Sequence, residues 1–151
     1  MNSSFEQELE KHGSIVYPNK GRSMWPLIRE GRDLMLIEKK GPERCRNLDA
    51  VLFKRVNGVY VLHRILEVRE DGYFIAGDNC ASGEFVREEQ ILGVMTAVIR
   101  DGKTIPVTDP GYLRYVHLWC DHWQTRAGLL AARDRLRRAA SKVKRTILPG
   151  K

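Results

Sequence analysis

The sequence predicts a mainly β body followed by a C-terminal helical tail. Three dipeptides, Asn57-Gly58, Asp71-Gly72 and Asp101-Gly102, punctuate the middle of the chain, and each suits the positive φ angles of a tight two-residue turn. Strand-like apolar runs flank every one of them. At Asp109-Pro110-Gly111 the texture changes. From Tyr112 to about Thr146 there is no proline, a single glycine (Gly128), and an abundance of Ala, Leu and Arg. That is helical composition.

Each element follows in order. Leu34-Met35-Leu36-Ile37 is a short strand after a turn at Gly31. Val51-Leu52-Phe53-Lys54-Arg55 enters the first Asx-Gly turn, and Val59 to Val68 joins it to the second. Tyr73-Phe74-Ile75-Ala76 leaves the second turn; Leu92 to Ile99 enters the third and Thr104-Ile105-Pro106-Val107 leaves it. In the tail, Leu113, Val116, Cys120 and Trp123 recur at helical spacing, as do Leu129, Leu136, Ala140 and Val143. Gly128 is expected to divide this helix into an aromatic and a basic half. The length of 151 residues fits one domain core, read as a body over 1–110 and a basic amphipathic tail over 111–151.

The net charge of +7 is unevenly spread. Residues 1–110 hold 16 basic and 17 acidic side chains, whereas residues 111–151 hold 10 basic and 2 acidic. A near-neutral body argues against wrapping nucleic acid, and the charge question moves to the tail. The N-terminus is acidic without an apolar run, so no secretory signal is expected. No stretch approaches the ~18 apolar residues of a membrane-spanning helix. Cys45, Cys80 and Cys120 are odd in number and lack C-x-x-C spacing, which argues against a disulfide scaffold and against zinc. Neither metal nor cofactor is expected, and the reducing cytoplasm is the simplest home.

Three clusters carry candidate chemistry. Gly21-Arg22-Ser23-Met24-Trp25-Pro26 sets a serine on a constrained turn, which can expose a hydroxyl and aim backbone N–H groups at an oxyanion, although turn chemistry alone also places serine there. His63 lies mid-strand in Val61-Leu62-His63-Arg64-Ile65, on the face of Val59, Val61 and Ile65 by alternation. It reads either as a hydrogen-bonded core histidine or as the base a serine needs near neutral pH. Gly77-Asp78-Asn79 closes the strand at Ala76, either as a capped turn or with Asp78 orienting His63. Lys54 is a rival base, but it sits at a strand end and reads better as solvated.

The order and spacing of these clusters resemble the superfamily of type I signal peptidases and LexA-like self-cleaving repressors over about residues 15–100. The resemblance implies a LexA/signal-peptidase-like β-ribbon body and a serine endopeptidase that processes a signal peptide, leader peptide or precursor protein. It gives Ser23 as nucleophile. The His63-Arg64 pair looks like the archaeal and endoplasmic-reticulum branch, where histidine replaces the general-base lysine. Asp78 and Asn79 match that branch's Gly-Asp-Asn motif, and Glu84 is the candidate for its later acidic residue. Met24 is expected to pack under the site and Pro26 to fix the turn. The sequence departs from the family at Gly31-Arg32-Asp33 and at Leu48-Asp49, where Gly-Asp is usual, and has Gly21 where some bacterial members carry an oxyanion-hole serine.

Two other functions compete. A LexA-like self-cleaving regulator needs a domain or cleavable arm before the serine, and only 22 residues precede Ser23. A non-catalytic peptide-binding module would have no need of Ser23, His63 and Asp78 together. The tail has three readings. It docks Leu113, Val116, Trp119 and Trp123 on the body with a solvated basic end. It lies on an anionic membrane surface, peripheral at the inner face, using Arg133, Arg135, Arg137, Arg138, Lys142, Lys144 and Arg145 among Leu136, Val143, Ile147 and Leu148, with Trp119 and Trp123 at the interface. Or it meets an acidic partner, with nucleic acid disfavoured.

Overall fold

A computed structural model describes residues 4–147, with side chains to Arg145. Helix α1 (Phe5–His12) precedes eight strands: β1 (Ser14–Pro18), β2 (Asp33–Lys39), β3 (Ala50–Lys54), β4 (Tyr60–Arg69), β5 (Gly72–Ala76), β6 (Glu84–Val86), β7 (Ile91–Arg100) and β8 (Lys103–Pro106). Helices α2 (Pro110–Cys120) and α3 (Trp123–Ile147) close the chain. The sheet is antiparallel throughout, in the order β1-β2-β7-β3-β4-β5-β6, with β8 on β7. The long β7 connects its two parts. Its first half lies between β2 and β3, its second between β2 and β8.

Both sheet faces are packed. Ala50 and Leu52 of β3 join one cluster, with Met24, Met35, Leu62 and Met95, while Val51 and Phe53 join the other, with Ile65, Tyr73, Ile75 and Ile91. This is the two-residue alternation of a strand buried on both sides. Among the described residues no helix is long and apolar enough to cross a membrane.

The predicted strands are present, and α1, β1 and β6 are additional. Helix α1 has its signal in Ser4-x-x-Gln7: the Gln7 N–H donates to Ser4 Oγ (3.3 Å) and the Ser4 N–H donates to Gln7 Oε1 (3.0 Å). Strand β6 has three residues, too few to show an alternation. Of the three Asx-Gly turns, only Asp101-Gly102 takes positive φ at both residues, 50° and 73°, between the paired Arg100 and Lys103. At Asn57-Gly58 only the glycine does, because the chain there makes a wider loop closed by the Arg55 N–H on Val59 O. At Asp71-Gly72 the register pairs Arg69 with Gly72, so the loop is Glu70-Asp71 and the glycine already belongs to β5.

The tail is two helices, and they separate at Asp121-His122, not at Gly128. Asp109 caps α2 by accepting from the Gly111 and Tyr112 N–H groups at 2.8 and 3.1 Å. Tyr112, Val116 and Cys120 are buried in the same cluster as Met24, so α2 completes the body and the boundary at 110/111 does not separate two cores. Val116, Trp119 and Trp123 dock as expected, but Leu113 does not; it is 42% exposed because Tyr112 and Val116 occupy the inward face. Gly128 lies inside α3, exposed and with open space at its Cβ position. Gly128→Ala should therefore stabilise the fold by about 0.5–1 kcal/mol, raising Tm by about 1–4 °C in a thermal melt. A fall in Tm would show that this face of α3 is not free.

Candidate active site

The turn of Ser23 is held from four sides. The N–H of Gly21, at φ +78°, donates to the Glu30 carboxylate (2.9 Å), and Asn19 Nδ2 donates to Gly21 O (3.2 Å). The Trp25 N–H donates to Arg22 O and the Ile28 N–H to Met24 O, which winds the segment into successive turns. Beneath it Met24 and Ile28 are fully buried in the first cluster. Downstream, the Arg29 N–H donates to buried Asp33 (2.8 Å). Burial raises the Asp33 carboxyl, but bonds from Arg32, Arg100 and the Arg29 N–H outweigh it and hold the group down at about 2. The peptide bond before Pro26 is cis. Ser23 itself is half-buried, and its hydroxyl accepts no hydrogen bond from, and donates none to, the described residues.

Gly77 joins this turn to His63. A Cβ built there would lie 2.5 Å from Ser23 O, 2.7 Å from Cys80 Sγ and 3.1 Å from His63 Nε2. Only glycine fits, and the Ser23 backbone and the imidazole face each other across it. Asn79 fixes the junction: its N–H donates to Ser23 O (2.8 Å) and its Nδ2 to Arg22 O (3.0 Å), while its Oδ1 accepts from Arg133 Nη1 of α3 (2.7 Å).

His63 is 7% exposed, opposite Val51 in β3 and edge-on to Phe53 at 6.1 Å. Burial lowers its pKa to about 4, partly opposed by the nearby Glu84 carboxylate. The ring is neutral at pH 7, and Nε2 points toward the Ser23 turn.

The Asp78 carboxylate makes no hydrogen bond to His63, and its charge acts on the ring more weakly than that of Glu84. His63 and Arg64 are neighbours on β4 and so project to opposite faces. Asp78 follows Arg64: both carboxylate oxygens take guanidinium nitrogens at 2.8 Å, and Tyr115 Oη donates to Oδ2 at 3.1 Å. Both partners are fully buried. Burial opposes the charge of Arg64, and the Asp78 carboxylate overrides it and holds the pKa well above the usual value. Trp119 Nε1 donates to Asp78 O (2.8 Å), so α2 seals the Gly77-Asp78-Asn79 loop.

The carboxylate beside His63 belongs to Glu84. The register runs Ile65↔Ile75↔Glu84 across β4, β5 and β6, which places Glu84 on the His63 face. Its Oε1 is 3.8 Å from Nδ1, a buried atom with no hydrogen-bond partner among the described residues. Arg55 holds the carboxylate with two guanidinium nitrogens, Nε at 2.9 Å. Sequence reasoning missed Arg55. Its signal was parity: Arg55 continues the spacing of Val51 and Phe53 one residue past the end of β3, and Val51 lies opposite His63. Lys54, the rival base, lies elsewhere, bonded to Glu6 at 2.7 Å and set over the Tyr60 ring.

A cleft of about 470 Å³ opens beside the turn between Pro26, Leu27, Arg29, Ile105 and Tyr115, but neither Ser23 nor His63 lines it. Cys45, Cys80 and Cys120 are free, and burial raises the pKa of the Cys80 thiol nearest the site, away from thiolate chemistry. Compared with known proteins, the chain matches no family model, no curated protein and no solved structure.

Proposed function

We propose that the chain is a serine endopeptidase of the signal-peptidase and LexA-like kind, with Ser23 as nucleophile, His63 as base and Glu84 as the carboxylate that supports it. The observation that carries this reading is the Gly77 junction, where a half-exposed serine turn meets a buried neutral imidazole. Ser23 Oγ attacks a peptide carbonyl while His63 Nε2 takes its proton. Nδ1–H then faces Glu84, whose charge supports the imidazolium; a 3.8 Å approach in the resting state is of the kind that tightens with substrate bound. The Ser23 N–H and a neighbouring backbone N–H stabilise the oxyanion. His63 passes its proton to the leaving amine, and water, activated by the freed base, hydrolyses the acyl-enzyme.

The substrate class is an extended peptide or precursor segment. Strand β1 is an edge of the sheet and ends at Pro18, five residues before Ser23, so a substrate strand can pair beside it. The resemblance to signal peptidases favours small residues before the scissile bond. Incubation with a library of unstructured peptides, read by mass spectrometry, should give defined internal cleavages with the wild type and none with Ser23→Ala, at unchanged Tm. Identical cleavage by both proteins overturns the assignment. Binding without cleavage by both makes the chain a peptide-binding module.

A further inference from the structure

We propose that α3, with the adjoining end of α2, is a docking surface for an anionic lipid bilayer. The two halves of α3 behave differently. Up to Asp134 it is tied down: Trp123 packs on Phe74 at 5.2 Å, Ala127 and Leu130 are buried, and Arg133 bonds Asn79. From Arg135 to Arg145 every side chain is exposed.

An apolar stripe runs along the helix on a different side from the docked face. Leu129, Leu136 and Val143 are 69%, 72% and 54% exposed. A seven-residue spacing drifts only ~20° per repeat, so the three form one line about 21 Å long. Leu118 of α2, 76% exposed, extends it, since Leu118 and Leu129 line one shallow cleft with Trp119 and Thr125. Arg137 and Lys144 lie on one flank of this line and Arg135 and Lys142 on the other, roughly 80–120° around the helix. Between residues 133 and 145 there are seven cations and one carboxylate, Asp134, which is paired with Arg133 at 2.9 Å. Arg126 adds a buried positive charge under the cleft with no carboxylate in ion-pair reach among the described residues.

A linear aliphatic stripe between two rows of long cationic side chains matches the interface of a bilayer with acidic headgroups. The aliphatics enter the acyl boundary, and the cations extend outward along their own stems. Charge decides against the other occupants. A second copy meeting this face would set seven cations against seven. Nucleic acid would use the cations but gain nothing from covering Leu129, Leu136 and Val143. Of the two terminal apolar residues predicted to take part, Leu148 lies outside the described residues and the side chain of Ile147 is likewise undescribed; the stripe stands without them.

The inference does not depend on the hydrolase reading, because its readout is lipid binding and the Ser23→Ala chain serves equally well. The full chain is floated with phosphatidylcholine vesicles containing 30% phosphatidylglycerol or none, as ~100 nm liposomes. It should float with the anionic vesicles only. Leu136→Gln with Val143→Gln keeps every charge and should weaken partition at least about tenfold. Arg137→Gln with Arg138→Gln and Lys144→Gln should also weaken it, with a shallower salt dependence. All these positions are exposed, and circular dichroism with an unchanged melt confirms folding. Equal flotation on neutral and anionic vesicles, or wild-type partition by the Leu136/Val143 variant, overturns the proposal. So does a lipid-free dimer in light scattering that the same variant dissociates, or tighter binding to a duplex oligonucleotide than to anionic vesicles.

Discussion

Asp78→Ala should unfold the protein at a temperature about 10 °C or more below the wild type. Arg64 and Asp78 are both fully inaccessible to solvent, and the guanidinium meets the carboxylate with two parallel bonds of 2.8 Å. Removing one partner leaves a buried charge uncompensated, which costs about 3–5 kcal/mol. The remaining contacts of Arg64, with Leu48 O at 2.9 Å and Tyr112 Oη at 3.2 Å, satisfy hydrogens but not charge. The double variant Arg64→Met with Asp78→Ala should recover a large part of the loss, because no charge is then stranded. The loop matters as well as the melt. Asp78 sits between Gly77 and Asn79, which hold the Ser23 turn, so the single variant should also loosen the junction. A Tm within about 3 °C of wild type would show that the pair does not hold the loop.

On the proposed Ser23/His63 mechanism, His63→Gln should reduce kcat/KM by about a thousandfold or more, since a base and its nucleophile act as a unit. The pH profile distinguishes this from a packing effect. With the imidazole at about 4, the acid limb of kcat/KM should lie near pH 4, well below the 6.5 of an ordinary histidine. Glu84→Gln removes the negative charge that favours the imidazolium and leaves Arg55 beside the ring. The limb should then move lower still, and kcat/KM should fall about 10- to 100-fold as the base weakens. An acid limb that stays in place in Glu84→Gln would mean that Glu84 does not act on His63. Stability carries the same sign. The folded pKa lies below the unfolded one, so the contribution is full above pH 6.5 and is lost as pH falls toward 4. At most it is worth about 3 kcal/mol. His63→Gln should flatten stability over that interval in urea titrations.

Much of the fold is legible in the chain. Alternation in Val51–Arg55 and Val59–Val68 gives β3 and β4, and the same period places His63 on the face of Ile65. The capping box of α1 was equally readable. Strand β6 was not, because three residues carry no period. Local propensity divides the tail at Gly128, its weakest helical residue, whereas the helices break at Asp121-His122, a point set by which residues reach the body. The partner of His63 shows the same limit. Asp78 stands in the more conspicuous motif, but a carboxylate's role depends on the strand face it meets, and that depends on the register of β4, β5 and β6.

Composition and local pattern suffice for a mainly β chain with a basic helical end, for the three clusters at Ser23, His63 and Gly77-Asp78-Asn79, and for the confinement of the surplus charge to residues beyond 110. Those are properties of composition and local period. It took the folded chain to show that the Ser23 backbone and the His63 ring meet at Gly77, that Asp78 pairs with Arg64 while Glu84, held by Arg55, lies 3.8 Å from His63, and that α2 completes the core while the second half of α3 stands exposed. Each of these depends on cross-strand register and on which face of a helix finds a partner. Both arise from contacts between residues far apart in the chain, which local sequence patterns do not record.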